Sequence, residues 1–111
     1  MRTTHCIEVA TFALNPGVED SALVALEARM RAVISREAGY LGRELARDEA
    51  TGEWLLLMRF ETRAQMDAWM AKVKSVPEMR EMGALLNRES MKMRFFTSID
   101  PTVQSSDRGG E

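Results

Sequence analysis

The sequence predicts an α+β fold in which helices cover one face of a four-stranded antiparallel sheet. Residues 54–60 (WLLLMRF) are apolar at nearly every position, which is typical of a strand covered on both sides. Residues 62–73 follow with a helix-start signal and then apolar residues at helical spacing. Residues 4–14, 40–47 and 90–99 have strand composition and complete the sheet.

The first helix is expected between the first two strands. Asn15 can cap it and Pro16 suits its first position, so the helix is predicted to run from this turn to about Arg36. Gly39 stands where a left-handed glycine would close the helix. Further along, Gly42 marks a bulge or a close backbone approach, and Gly52 suits a short hairpin loop that makes the second and third strands antiparallel neighbours.

Capping signals divide the last helical region in two. Thr62 and Gln65 fit the N-cap and N3 positions of a capping box, and Ser75 and Glu78 repeat that pattern around Pro77. The resulting order is β-α-β-β-α-α-β, which is the ferredoxin-like plan with a split second helix. Residues 1–100 are therefore interpreted as one domain, and residues 101–111 as a mobile tail with little to bury.

The composition excludes several classes of partner. With 15 basic and 17 acidic residues, the chain offers no field that would attract nucleic acid or an anionic membrane. Cys6 and His5 are the only residues of their kinds, so neither a disulfide framework nor a metal site is expected. Without a signal-peptide or membrane-spanning run, the expected location is cytoplasmic.

The apolar residues of the central strands predict a homodimer. Helices shield one face of the sheet, whereas Ile7, Leu55 and Leu57 would face water on the other in a monomer. Packing two such sheets together would remove about 1,000 Å² or more from water, which is enough for a stable dimer.

Three motifs resemble the antibiotic biosynthesis monooxygenase family of dimeric α+β barrels. They are the NPG turn before the first helix, AGYLG at the start of the second strand, and a strand that ends in an aromatic residue before E-T-x-x-x-x-x-A-W. The match covers roughly residues 5–99. The resemblance implies a barrel of two sheets with a pocket between sheet and helices in each subunit. It also implies either cofactor-independent oxygenation of phenolic or quinol-like aromatics, or haem degradation.

The haem-degrading branch of that family fits this sequence poorly. Its functional set is an Asn in the first strand, a Trp in the second helix and a His ligand in the next helix. Trp69 matches the Trp, but the Asn position is Ala10 and no His occurs from residue 69 to residue 86. Haem iron would have no axial imidazole, so this activity is disfavoured.

Five residues are candidate catalytic or binding groups, each with a structural alternative. Trp69 is either core packing or a pocket wall whose indole N–H binds substrate or oxygen. Tyr40 can donate a hydrogen bond to a bound carbonyl or simply plug the surface. Arg59 and Arg94 stabilise a phenolate if they face the pocket, or form interface ion pairs with Glu8 or Glu61. His5 is a ready base near neutral pH or an ordinary surface histidine.

A pocket for flat apolar ligands is predicted from the methionine content. Nine methionines form an adaptable lining, to which we assign Met66, Met82 and Phe95 together with Arg94. The first functional hypothesis is a monooxygenase without cofactor, in which a small aromatic substrate is deprotonated and its anion reacts directly with oxygen. The alternative is a dimeric ligand-binding or accessory domain without turnover.

Overall fold

The computed structural model describes residues 5–99, and within them the predicted ferredoxin-like α+β fold is confirmed. The strands are β1 (Cys6–Phe12), β2 (Tyr40–Arg47), β3 (Trp54–Phe60) and β4 (Lys92–Thr97). The helices are α1 (Asp20–Ile34), α2 (Arg63–Val73) and α3 (Pro77–Leu85), and a 3₁₀ turn, Arg88–Ser90, precedes β4. The tail predicted for residues 101–111 lies outside the described residues.

The sheet is antiparallel throughout, with the strand order β2-β3-β1-β4. One row of side chains across it consists of Leu45, Leu56, Ala10 and Met93. The next row on the same face consists of Arg43, Met58, Glu8 and Phe95. Side chains alternate between faces along a strand, so these two rows share the face beneath the helices.

Strict alternation in the two central strands determines where the core lies. In both β1 and β3 every second residue is buried, and the residues between them are only half-buried. The buried set of β3 packs with apolar residues from all three helices, and the largest fully buried side chains include Trp69, Phe12 and Phe60. Within one chain, β3 is therefore covered on one face only. The continuous apolar run of residues 54–60 had predicted that both faces would be covered.

Helix α1 begins later than the NPG turn predicted. Gly17 has a φ of 87°, and the N-cap is Glu19 rather than Asn15. Asn15 instead ties the turn to α3, because its backbone N–H donates to the carbonyl of Leu85 at 2.8 Å. The helix also ends at Ile34, so Gly39, although left-handed with a φ of 83°, serves the turn into β2 rather than the helix terminus.

One of the two predicted capping boxes is present. In α2 the Thr62 hydroxyl accepts from the N–H of Gln65 at 3.1 Å, and the Gln65 side chain accepts from the N–H of Thr62 at the same distance. The box predicted at Ser75 is wrong. There the N-cap of α3 is Val76, and the Ser75 hydroxyl donates to the carbonyl of Lys72 instead. Pro77 does occupy the first turn of α3, as predicted.

The β2–β3 hairpin forms as predicted. The register shifts between Tyr40 and Gly42, which is a bulge, and Gly52 adopts a φ of 79° in the connecting loop. Because of this bulge, Tyr40 lies on the helix-covered face, where its ring meets that of Phe60 edge-on at 6.0 Å between centroids. The bulge thus adds an aromatic residue to the core.

The opposite face of the sheet is apolar at its centre. Ile7, Val9, Leu55 and Leu57 are half-buried there, and Phe96 remains 41% exposed. Arg59 and Arg94 lie on this same face, because they pair with Ile7 and Val9 in the sheet register. No helix in residues 5–99 is long and apolar enough to cross a membrane.

Replacing Gly39 with Ala should destabilise the fold more than replacing Gly17 with Ala. Both glycines have a positive φ, which costs an L-residue about 1–2 kcal/mol. At Gly39 a Cβ would also overlap the Gln65 amide and break the capping box, which adds about 1 kcal/mol. Urea unfolding measures the difference. Equal losses in the two variants would show that the contact between Gly39 and Gln65 does not matter.

Candidate active site

A largely apolar cavity lies between the covered face of the sheet and helices α2 and α3. Its volume is about 80 Å³, small beside the roughly 300–1,000 Å³ of a drug-sized site. In this conformation the cavity has room for a small ligand only. A larger ligand would require its walls to move. The wall consists of Glu8, Ala10, Met30, Arg43, Leu56, Met58, Trp69, Met70, Val73, Met79, Met82, Leu86, Met91 and Met93.

Methionines dominate this wall. Seven of the nine methionines in the chain contribute to it, from α1, α2, α3, β3 and the β4 region. A methionine side chain has three rotatable bonds and a polarizable sulfur, so it adapts to flat aromatic surfaces. Rotation of these side chains would change the shape of the cavity without movement of the backbone.

Glu8 is the unusual member of the wall. Its side chain projects from the central strand β1 into an apolar surrounding and is only 4% exposed. Burial raises the pKa of its carboxyl group, and the nearby positive charge of Arg43 opposes that shift only in part. No described residue is hydrogen-bonded to the carboxyl group. A proton acceptor therefore lies on the cavity wall without a fixed partner.

The Arg43 guanidinium near Glu8 is bound by a second carboxylate, that of Glu27. The Arg43 guanidinium donates from Nε to one oxygen of Glu27 at 2.7 Å and from Nη2 to the other at 3.1 Å. Its third contact is with the sulfur of Met58 at 3.6 Å. Both members of the ion pair are almost fully buried, and Arg31 also donates to Glu27 at 3.3 Å. This bidentate pair joins α1 to β2 and fixes a cation near Glu8.

Trp69 supplies a hydrogen-bond donor to the wall, beside the charged groups of Glu8 and Arg43. It lies in α2 and is 2% exposed, and Met66 and Val73 flank it on the buried face of that helix. Its indole N–H has no hydrogen-bond acceptor among the described residues. An indole donor and a carboxyl acceptor therefore both border the same apolar cavity, which suits a ligand that has a hydroxyl or carbonyl group on a ring.

The predicted pocket residues divide between this cavity and other places. Trp69 and Met82 are in its wall. Met66 is fully buried in the core beside it. Tyr40 packs on Phe60, away from the lining.

The other predicted site residues are not part of the cavity wall. Phe95 is half-buried beneath the guanidinium of Arg63, with 4.3 Å from the carbon of that group to the ring centre. Arg59 and Arg94 are on the opposite face of the sheet, where the Arg94 guanidinium stacks on Phe96 at 4.9 Å. His5 precedes β1 at the sheet margin, where its carbonyl accepts from the N–H of Ser98.

The interface ion pair considered between Glu8 and these arginines is wrong. Glu8 is on the helix-covered face, whereas Arg59 and Arg94 are on the other, so the sheet separates their side chains. The alternation of side chains along β1 already indicated this, because Glu8 is an even number of residues from Cys6 and Ala10 and so lies on their face.

Arg43 and Glu27 were not identified from the sequence as residues near the site, for a similar reason. Each is a charge at a position that the periodicity assigns to a buried face.

The fold and the site define a small α+β domain with a small, methionine-lined cavity beneath its helices. The model of the antibiotic biosynthesis monooxygenase family matches residues 6–82, more than half of the chain. The protein belongs to this family, which confirms the resemblance seen in the sequence. No curated relative matches the sequence.

Solved structures share the same fold. SnoaB, a cofactor-independent oxygenase from Streptomyces nogalater, superposes with a TM-score of 0.73 at 15% identity, over 86% of this chain and 94% of that one. Rv0793 from Mycobacterium tuberculosis superposes with a TM-score of 0.70 at 24% identity, over 86% of this chain and 96% of that one. At these identities the likeness establishes a common architecture.

Replacing Glu8 with Gln should change how stability depends on pH. A carboxyl group whose pKa is raised in the folded state stabilises the fold while protonated, and this contribution is lost as the pH rises through the raised value. The free energy of unfolding of Glu8→Gln, relative to wild type, should therefore increase from about pH 4 to about pH 7. Urea titrations at both pH values measure it. The exposed Glu53→Gln is the control, and a parallel response in both variants would contradict the assignment.

Proposed function

We propose that this protein is a cofactor-independent monooxygenase that acts on a small phenol or quinol. The single observation that carries the proposal is the buried, unpartnered carboxyl group of Glu8 in a cavity whose wall also holds Trp69. Membership of the monooxygenase family supports it, as does the likeness of the fold to that of an oxygenase that works without a cofactor.

Glu8 would act as the general base. In its ionised form it removes the phenolic proton, and the raised pKa brings its basicity closer to neutral pH, where a base is most effective. The apolar wall disfavours the buried carboxylate and so favours proton transfer. The resulting phenolate is a strong electron donor that reacts with oxygen at a ring carbon ortho or para to its oxygen that carries a hydrogen.

The remaining steps balance with oxygen as the only oxidant. The ring carbon forms a C–O bond to oxygen, and the protonated Glu8 returns its proton to the new peroxide. Loss of the ring hydrogen and cleavage of the O–O bond then release water and leave a quinone carbonyl. The indole N–H of Trp69 would stabilise the negative oxygen during these steps. The substrate supplies all four electrons that reduce the two oxygen atoms.

Haem degradation remains disfavoured. His5 is the only histidine of the chain and is absent from the cavity wall, so an iron there would have no imidazole ligand.

The alternative function is a binding protein without turnover, since the same cavity would hold a ligand whether or not oxygen reacts.

Oxygen uptake with a panel of quinols and naphthols should distinguish these functions. We expect Glu8→Gln to lower the rate by about 10²–10⁴-fold, because the base is lost, and Trp69→Phe by about 10–100-fold, because one charge-assisted hydrogen bond is lost. Trp54→Phe and Glu53→Gln are matched controls outside the cavity and should retain wild-type rates. If compounds of the panel bind but none causes oxygen uptake, the protein is a binding protein without turnover.

We infer that the open face of the sheet pairs with a second copy of the chain. Ile7, Val9, Leu55 and Leu57 form an apolar centre on that face, and a stable interface needs roughly 800 Å² from each partner. Arg59 and Arg94 flank the centre and would supply polar contacts at the interface.

Sedimentation equilibrium tests the homodimer. Wild-type protein should be dimeric at micromolar concentration, and Leu57→Lys should shift it to monomer because a charge would be buried against apolar side chains. Val24→Lys is the control, since Val24 is 54% exposed on α1, on the other side of the molecule. A folded monomeric wild type would contradict the proposed pairing.

A further inference from the structure

A basic groove adjoins the cavity at the outer side of α3. It is open to solvent, with a volume of about 590 Å³. Three of its wall residues are cations: Lys74 at the end of α2, Arg80 in α3, and Arg88 in the 3₁₀ turn. No acidic residue is part of its wall. On a chain with a net charge of −2, this is a local concentration of positive charge.

The three cations of the groove are not neutralised by the protein. None of them forms an ion pair with a described residue, whereas Arg29, Arg43 and Arg47 each do. The acidic residues of α3 point elsewhere, because Glu78 and Glu81 both pair with Arg29 of α1. Helix α3 therefore presents its acids to α1 and Arg80 to the groove.

The groove and the cavity are adjacent. Met79, Leu86 and Met91 belong to the walls of both, so these flexible or apolar side chains lie between the two spaces. A ligand whose ring occupies the cavity would reach the groove if the Met79 side chain changed rotamer. The charge of the groove would then act on the part of the ligand that lies outside the cavity.

We propose that the substrate carries an anionic group, a carboxylate on a short arm, that binds among Lys74, Arg80 and Arg88 while its phenolic ring enters the methionine-lined cavity. This inference specifies the substrate class of the proposed function, and the role given to the phenolic ring rests on that function. Three like charges attract an anion from solution and orient it, so that the apolar end of the molecule enters first. The negative charge of Glu8 would oppose the reverse orientation, since it disfavours a carboxylate deep in the cavity.

Equilibrium binding of a matched pair of compounds tests this inference without turnover. Para-hydroxyphenylacetate and para-hydroxyphenylacetamide have the same ring and arm, and they differ in one negative charge. Titration calorimetry should show that the wild-type protein binds the acid more tightly than the amide, with a preference that falls as salt is added. Equal affinity for both compounds, or failure of both to bind, would overturn the proposal.

Substitutions of the groove cations test whether the preference for the acid over the amide arises in the groove. Arg80→Gln alone should weaken binding of the acid by about two- to fivefold, and the triple variant that also carries Lys74→Gln and Arg88→Gln by about tenfold or more, with the amide unaffected. Arg36→Gln removes an exposed charge that belongs to neither space and should change nothing. An equal effect of Arg36→Gln and Arg80→Gln would mean that only net charge matters and would overturn the groove as the site.

The readout separates this proposal from the proposed activity. Charge-selective binding that the triple variant abolishes supports the anion site even if no oxygen is consumed with any substrate. Conversely, oxygen uptake with neutral quinols that the triple variant leaves unchanged, together with equal binding of acid and amide, supports the monooxygenase and overturns the anion site.

Discussion

The structure depends on one constraint: a single layer of helices can cover only one face of a four-stranded sheet. The alternation of buried and half-buried residues in β1 and β3 follows from it directly. Phe12, Phe60 and Trp69 fill the covered side, and the remaining apolar residues of the central strands are left on the other. The core, the cavity and the open apolar face are three consequences of that division. The proposed dimer would complete the cover that one chain cannot provide.

Charge inside the covered layer gives the cavity its chemistry. The bidentate pair between Glu27 and Arg43 is almost fully shielded from water and links α1 to β2, and breaking such a pair costs about 3–5 kcal/mol. Because Glu27 takes both donors of that fork, Glu8 faces a cation that is already engaged. Its carboxyl group keeps a raised pKa in a methionine-lined space. A structural ion pair and a buried carboxyl group thus lie near each other: burial raises the pKa of the Glu8 carboxyl, and the Arg43 cation opposes that shift in part.

The fold was predictable because its signals are local and repeated. The capping box of Thr62 and Gln65, the hairpin with Gly52 and the bulge at Gly42 all formed where the residues indicated. The predictions of helix starts were wrong where the predicted capping residue makes a different hydrogen bond in the structure. Asn15 bonds to α3 instead of capping α1, and the Ser75 hydroxyl turns back to the preceding helix, so these helices begin without a side-chain cap. A propensity states what a residue can do, and its neighbours in space select among those options.

The sequence by itself determined the element order, the class of fold and the apolar faces of the strands, since periodicity and capping are encoded within a few residues of each other. Only the tertiary structure decided which charges meet. Glu8, Glu27 and Arg43 come from three different elements, and Lys74, Arg80 and Arg88 are brought together around α3. Their proximity depends on strand register and helix packing between residues far apart in the chain, which no local pattern specifies.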